Sequence, residues 1–188
     1  MKRACRMNSF RSLAFSVLSA LCSLASAQDV WTENDGYLKS AINDCSAASA
    51  AGADRAICRN FTGEALKRLF GINDFCVASR CLKPAEIEWR IRHNADKWDP
   101  LGSAGDQAVL DKARGLAATR AVLAILNEAE RSQVAIVMPG AAIPSGRWGL
   151  NVPIAVGVRV DRPEESIYAK GLNWLFADPA KVALYVRL

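Results

Sequence analysis

Cys58 is the residue of this chain whose type and neighbours are best suited to covalent chemistry. It stands in AICRNFTGEALKRLFG, ahead of Phe61, Ala65, Leu66, Leu69 and Phe70, which recur at the three-to-four-residue period of an amphipathic helix. Asn60 is suited to cap that helix, which the pattern carries to about Ile72. A cysteine at a helix start meets unpaired backbone N–H groups and the positive end of the helix dipole. Both stabilise a thiolate, and the N–H groups can also hold an oxyanion. The chemistry this would support is attack on an amide carbonyl to form a thioester, which water then releases. A sulfur at such a position serves equally as one end of a disulfide.

Cys45, Cys58, Cys76 and Cys81 leave both arrangements open. Four cysteines can pair fully in three ways. Cys76 and Cys81 are close enough to close a small loop and are the leading pair, in which case Cys45 with Cys58 completes an all-disulfide set. The alternative leaves Cys58 reduced. The sequence calls for neither metal nor cofactor: C-x-x-C spacing is absent, and His93 is the single histidine. His93 ends a predicted helix, where the dipole favours its charged form and a capping or surface role.

The first 27 residues set the compartment. Lys2, Arg3, Arg6 and Arg11 precede an apolar run over residues 13–24, and Ala25-Ser26-Ala27 has the small-x-small form of a signal peptidase site. The run is too short for a permanent membrane span, so residues 1–27 are expected to be a signal peptide and 28–188 a single domain, periplasmic or secreted, without a membrane anchor. The net charge of +5 belongs mostly to the leader: four of the 24 Lys and Arg lie in it, leaving 20 against 19 acidic side chains. A chain so nearly neutral, with Arg55, Arg59, Lys67 and Arg68 scattered along a helix face, does not suggest a nucleic-acid partner.

The elements that must position Cys58 come in two groups. Helices are expected from Asn60, from near Pro84 with Ile87, Ile91 and Trp98 on its apolar side, and from Ser103 through Ala117, with Ser103 and Asp106 as a capping box. The Ala/Ser/Gly stretch from Ser46 to Gly52 reads as a loop. Ala121–Leu126, Val134–Met138, Val152–Val160 and Val182–Leu188 are short apolar or alternating runs and read as four strands. Helices followed by strands predict an α+β domain with an antiparallel sheet.

Taken together, AICRNFTGEALKRLFGINDF, DKWDPLGSAGDQAVLDKARGLA, VAIVMPG, SGRWGLNVP and YAKGLNWLFA resemble bacterial cell-wall cysteine hydrolases of the CHAP and NlpC type. The resemblance runs from about Cys58 to the C-terminus and implies a papain-like architecture acting on peptidoglycan stem peptides. It makes Cys58 the nucleophile, puts Gln133 where a Gly-His-Val-Ala strand supplies the general base, and makes Asn151 the orienting third residue. The departure is chemical: a glutamine amide hydrogen-bonds a thiol but cannot take its proton and return it to a leaving amine.

Two further features keep two readings each. GAAIPSGRWG lacks the strand-to-helix context of a phosphate loop and is expected to be a rim loop or hairpin connection. Trp148, Tyr168 and Trp174 suit either stacking on a sugar or core packing with a polar tip outward. The expected function is therefore a degenerate relative that binds cell-wall peptide or a protein partner. The alternatives are an active amidohydrolase working through Cys58, and a disulfide-stabilised structural or inhibitory protein.

Overall fold

The computed structural model describes residues 15–51, 56–78, 80–93, 96–126 and 133–188, with side chains from residue 30 onward except that of residue 49. The first fourteen positions of the expected signal peptide lie outside the described residues. Among the described residues, no helix is long and apolar enough to cross a membrane.

The first helix, α1, spans Phe15–Ala50. Trp31, Leu38, Ile42 and Cys45 are buried along it, at spacings that keep them on one stripe. The stretch expected as a loop from Ser46 is instead the last turn of α1 as far as Ala50, because alanine is the strongest helix former and no glycine intervenes before Gly52. The second helix, α2, spans Ala56–Phe70 and buries Cys58, Phe61, Ala65, Leu66 and Leu69. Asn60 thus lies inside α2 and does not cap it: Cys58 itself belongs to the apolar period, and the helix runs one turn further back than Asn60 suggested.

A two-stranded ribbon follows, β1 at Cys76–Val77 and β2 at Arg80–Cys81, closed by a disulfide between Cys76 and Cys81. Helix α3, Pro84–His93, starts where its proline predicts. Glu86 accepts from the Lys83 backbone N–H at 2.7 Å, the return half of a capping box. Trp98 does not continue α3; it opens strand β3, Trp98–Ser103, on the edge of the main sheet. An edge is where a strand tolerates Pro100, which has no N–H to donate to the ladder. Helix α4, Gln107–Leu116, is capped by Asp106, which accepts from the Ala108 N–H at 2.8 Å, so the helix begins later than Ser103.

The expected runs become β4 at Val122–Leu126, β5 at Val134–Val137 and, at the end, β10 at Val182–Arg187. The run from Val152 is broken by Pro153. Leu150–Val152 forms β7, which pairs with β6 at Ile143–Ser145, and Ile154–Gly157 forms β8. Strand β9, Ile167–Gly171, was not expected from the sequence pattern. The main sheet has six strands in the order β3-β10-β4-β5-β8-β9, with every neighbouring pair antiparallel. The domain is α+β, with two strands more in this sheet than the four anticipated.

The period of two along the strands builds two cores. Leu123, Ile125, Val134, Ile136, Val156 and Val158 pack with α1, α2 and α3. Their alternates Val122, Ala124, Ala135, Val137, Leu184 and Val186 pack with Leu110 and Ala113 of α4. Strands β4 and β5 are buried on both faces, which explains their unbroken apolar sequences.

Candidate functional site

The sulfur of Cys58 is bonded to that of Cys45, with the two Cα atoms 5.1 Å apart. The bond ties the first turn of α2 to the last part of α1, and both cysteines are buried in the first core. In a disulfide the sulfur carries neither a thiol proton nor a thiolate lone pair, so the nucleophile that the helix start would activate is absent from this state. The two disulfides realise the all-paired arrangement.

Gln133 is 6% exposed and stands immediately before β5. With its amide oriented by its hydrogen-bond partners, its N–H donates to the Leu175 carbonyl at 3.2 Å. Its carbonyl accepts from Arg159 Nε at 3.0 Å and Nη2 at 3.2 Å. Arg159 donates in turn to Glu165 at 2.5 Å and Asp161 at 3.3 Å, and Arg162 donates to the second oxygen of Glu165 at 2.5 Å. For the Asp161 carboxyl, partial burial works to raise the pKa, but the charge and hydrogen bond of Arg159 outweigh it and hold the group below the usual carboxylate range. The position that the resemblance assigns to a base is therefore the inner end of a polar network, occupied by an amide that hydrogen-bonds but does not act as an acid or base. Arg159 is the partner of Gln133 that sequence reasoning missed. Its signal was an arginine inside the alternating run VGVRV, followed at once by Asp161 and two glutamates.

Asn151 lies in β7, opposite Pro144 of β6. Gln107 of α4 clasps its backbone, donating to the Asn151 carbonyl at 3.0 Å and accepting from its N–H at 2.8 Å. That places Asn151 with the α4 layer, whose buried residues form the second core, whereas Cys58 belongs to the first. His93 is exposed at the end of α3, where its Nδ1 donates to the Trp89 carbonyl at 2.7 Å and its ring stacks on Trp89 at 4.2 Å. The residues thus stand in separate local settings: Cys58 in a disulfide, Gln133 on Arg159, Asn151 against α4 and His93 at a helix end.

Two cavities flank these elements. One, of about 240 Å³, lies along the α1–α2 groove and is lined by Tyr37, Asp44, Ile57, Asn60 and Glu64 among others. Burial, then the charge of Glu64, pushes the Tyr37 hydroxyl up, against the opposing pull of Arg68. The other, of about 540 Å³, is lined by Arg159 and Leu175, the two partners of Gln133, and by Arg147, Arg162, Lys170 and Trp174. GAAIPSGRWG forms β6 and the turn into β7, and supplies Arg147 to this cavity. Glu64, Cys76 and Cys81 bring ligand-type atoms within 4.8 Å of one another. Because the two sulfurs are joined, the group offers one carboxylate and no thiolate to a metal.

No protein family model matches this chain, and no curated protein matches it.

Proposed function

We propose that this chain is an exported, disulfide-stapled protein, periplasmic or secreted, that binds bacterial cell-wall peptide without hydrolysing it. In this reading it is a degenerate relative of the CHAP and NlpC type hydrolases in which the three catalytic positions no longer converge. One observation carries the proposal: Cys58 is bonded to Cys45, while Gln133 commits both ends of its amide to Leu175 and Arg159. Thioester chemistry needs a free thiolate and a group that returns a proton to the leaving amine. Here the sulfur is in a cross-link, and a glutamine amide can donate and accept hydrogen bonds but cannot serve as a general acid or base. The resemblance of segments from Cys58 onward supports the cell-wall assignment, and the leader-like N-terminus with two disulfides supports an oxidising compartment.

The test incubates purified protein with isolated peptidoglycan sacculi. The expected result is co-sedimentation with sacculi and no soluble muropeptide, unchanged in the Cys58→Ala variant. Release of muropeptide by the wild type that Cys58→Ala abolishes would show a hydrolase and sink the proposal, as would failure to sediment with sacculi.

A further inference from the structure

We propose that the cavity beside Gln133 is a binding site for a short carboxylate-bearing peptide, held by Arg147 and Lys170 against the exposed ring of Trp174. The proposal rests on the cell-wall reading above and assigns it a place and a ligand chemistry.

Charge pairing within the cavity selects its free groups. Arg159 and Arg162 are neutralised by Glu165 and Asp161. Arg147 donates only to the Asn173 carbonyl, at 3.5 Å, and Lys170 holds its ammonium 5.4 Å from the centroid of Trp174. Among the described residues, neither cation pairs with a carboxylate. Glu164 also lines the cavity, is exposed, and pairs with no cation among the described residues. Two unmatched cations and one unmatched carboxylate suit a ligand with more than one carboxylate and a single amine. That is the chemistry of an acidic peptide carrying a diamino acid. A doubly charged phosphate would meet Glu164 as a like charge, whereas a carboxylate beside an amine would not.

The surroundings fit such an occupant. A volume of about 540 Å³ holds a peptide of a few residues. Trp174 is 64% exposed, the most exposed large apolar side chain of the described residues, and offers a flat surface for aliphatic stems. The strand carrying Lys170 is also irregular. Between Ala155↔Lys170 and Gly157↔Ile167, β9 contains one residue more than β8, and Ala169 has φ of 50°. Such a bulge re-aims side chains. Here Tyr168 reaches the Asp35 carboxylate on α1, while Lys170 lines the cavity.

The test is calorimetric titration with the tetrapeptide N-acetyl-L-Ala-γ-D-Glu-meso-diaminopimelyl-D-Ala, whose one amine is that of the diaminopimelyl side chain, and with the same peptide amidated at its carboxylates. The acid form is expected to bind, more weakly as salt rises, and the amidated form to bind at least about tenfold more weakly. Lys170→Gln, Arg147→Gln and Trp174→Ala should each weaken binding by about tenfold with unchanged melting temperature, and Lys67→Gln on α2 should not. Equal binding of acid and amidated peptides, or wild-type affinity in all three cavity variants, overturns the proposal. If sacculi still sediment with all three variants, the cavity is excluded and the cell-wall reading survives. If the protein ignores sacculi and the tetrapeptide but binds an all-L Glu/Lys peptide through the same three residues, the cell-wall reading falls and the cavity serves a protein partner.

Discussion

A buried glutamine must hydrogen-bond through both ends of its amide, and Gln133 does so between a backbone carbonyl and a guanidinium. Replacing it by leucine leaves the Leu175 carbonyl and part of Arg159 without partners. Gln133→Leu is therefore expected to lose about 1–3 kcal/mol in urea unfolding. Since the two side chains share hydrogen bonds, Gln133→Leu with Arg159→Met should cost less than the sum of the single changes. Additive losses would show that the bonds to Arg159 contribute nothing. The chemical peculiarity of Gln133 was legible in the sequence, because the strand start and the lack of a second histidine were both visible. Its partner was not: Arg159 lies 26 positions on, and only the antiparallel pairing of β5 with β8 brings the two segments side by side.

At the scale of elements, the helices with a dense apolar period and the apolar strands were readable, and the sparse first helix and the short edge pieces were not. β4, β5 and β10 fall where their runs predicted, because burial on both faces or strict alternation leaves a strong pattern. β3 contains Pro100 and Gly102, and β9 is an edge strand with a bulge at Ala169, so neither carries the alternation of a central strand. α1 was missed because its buried stripe is sparse and its last turns are small residues that resemble a linker. The contact between α2 and the β1–β2 ribbon was equally hidden. A Cβ on Gly63 would lie 2.6 Å from Cys81 Cβ and 3.1 Å from both sulfurs of the Cys76–Cys81 disulfide. Gly63→Ala is thus expected to push the ribbon off the helix and destabilise the fold by about 1–3 kcal/mol, read as a lowered urea midpoint. An unchanged midpoint would mean the ribbon moves away freely.

For the whole molecule, the question is what keeps α1 on the body. Trp31 meets Phe70 edge-on at 5.7 Å, Arg68 donates to Asn34 at 3.0 Å, Tyr168 donates to Asp35, and Ser46 donates to the Pro163 carbonyl at 3.0 Å. The polar contacts among these are partly exposed and of modest worth; the buried stripe of Trp31, Leu38 and Ile42 holds α1 in the first core, and the Cys45–Cys58 bond adds a covalent tie to it. Its loss in Cys45→Ala with Cys58→Ala should cost about 3 kcal/mol and lower the melting temperature by on the order of 6–12 °C. The same variant should bind sacculi as the wild type does below its transition; lost binding there would show that the bond also shapes the binding surface. The strand order carries a further consequence, one of timing. β10, Val182–Arg187, is the last of the described strands but sits second in the sheet, between β3 and β4. Until it emerges, β3 has no neighbour in the main sheet and β4 shows an open edge. A growing chain can therefore assemble its helices early, yet it cannot close the sheet until Val182–Arg187 is released.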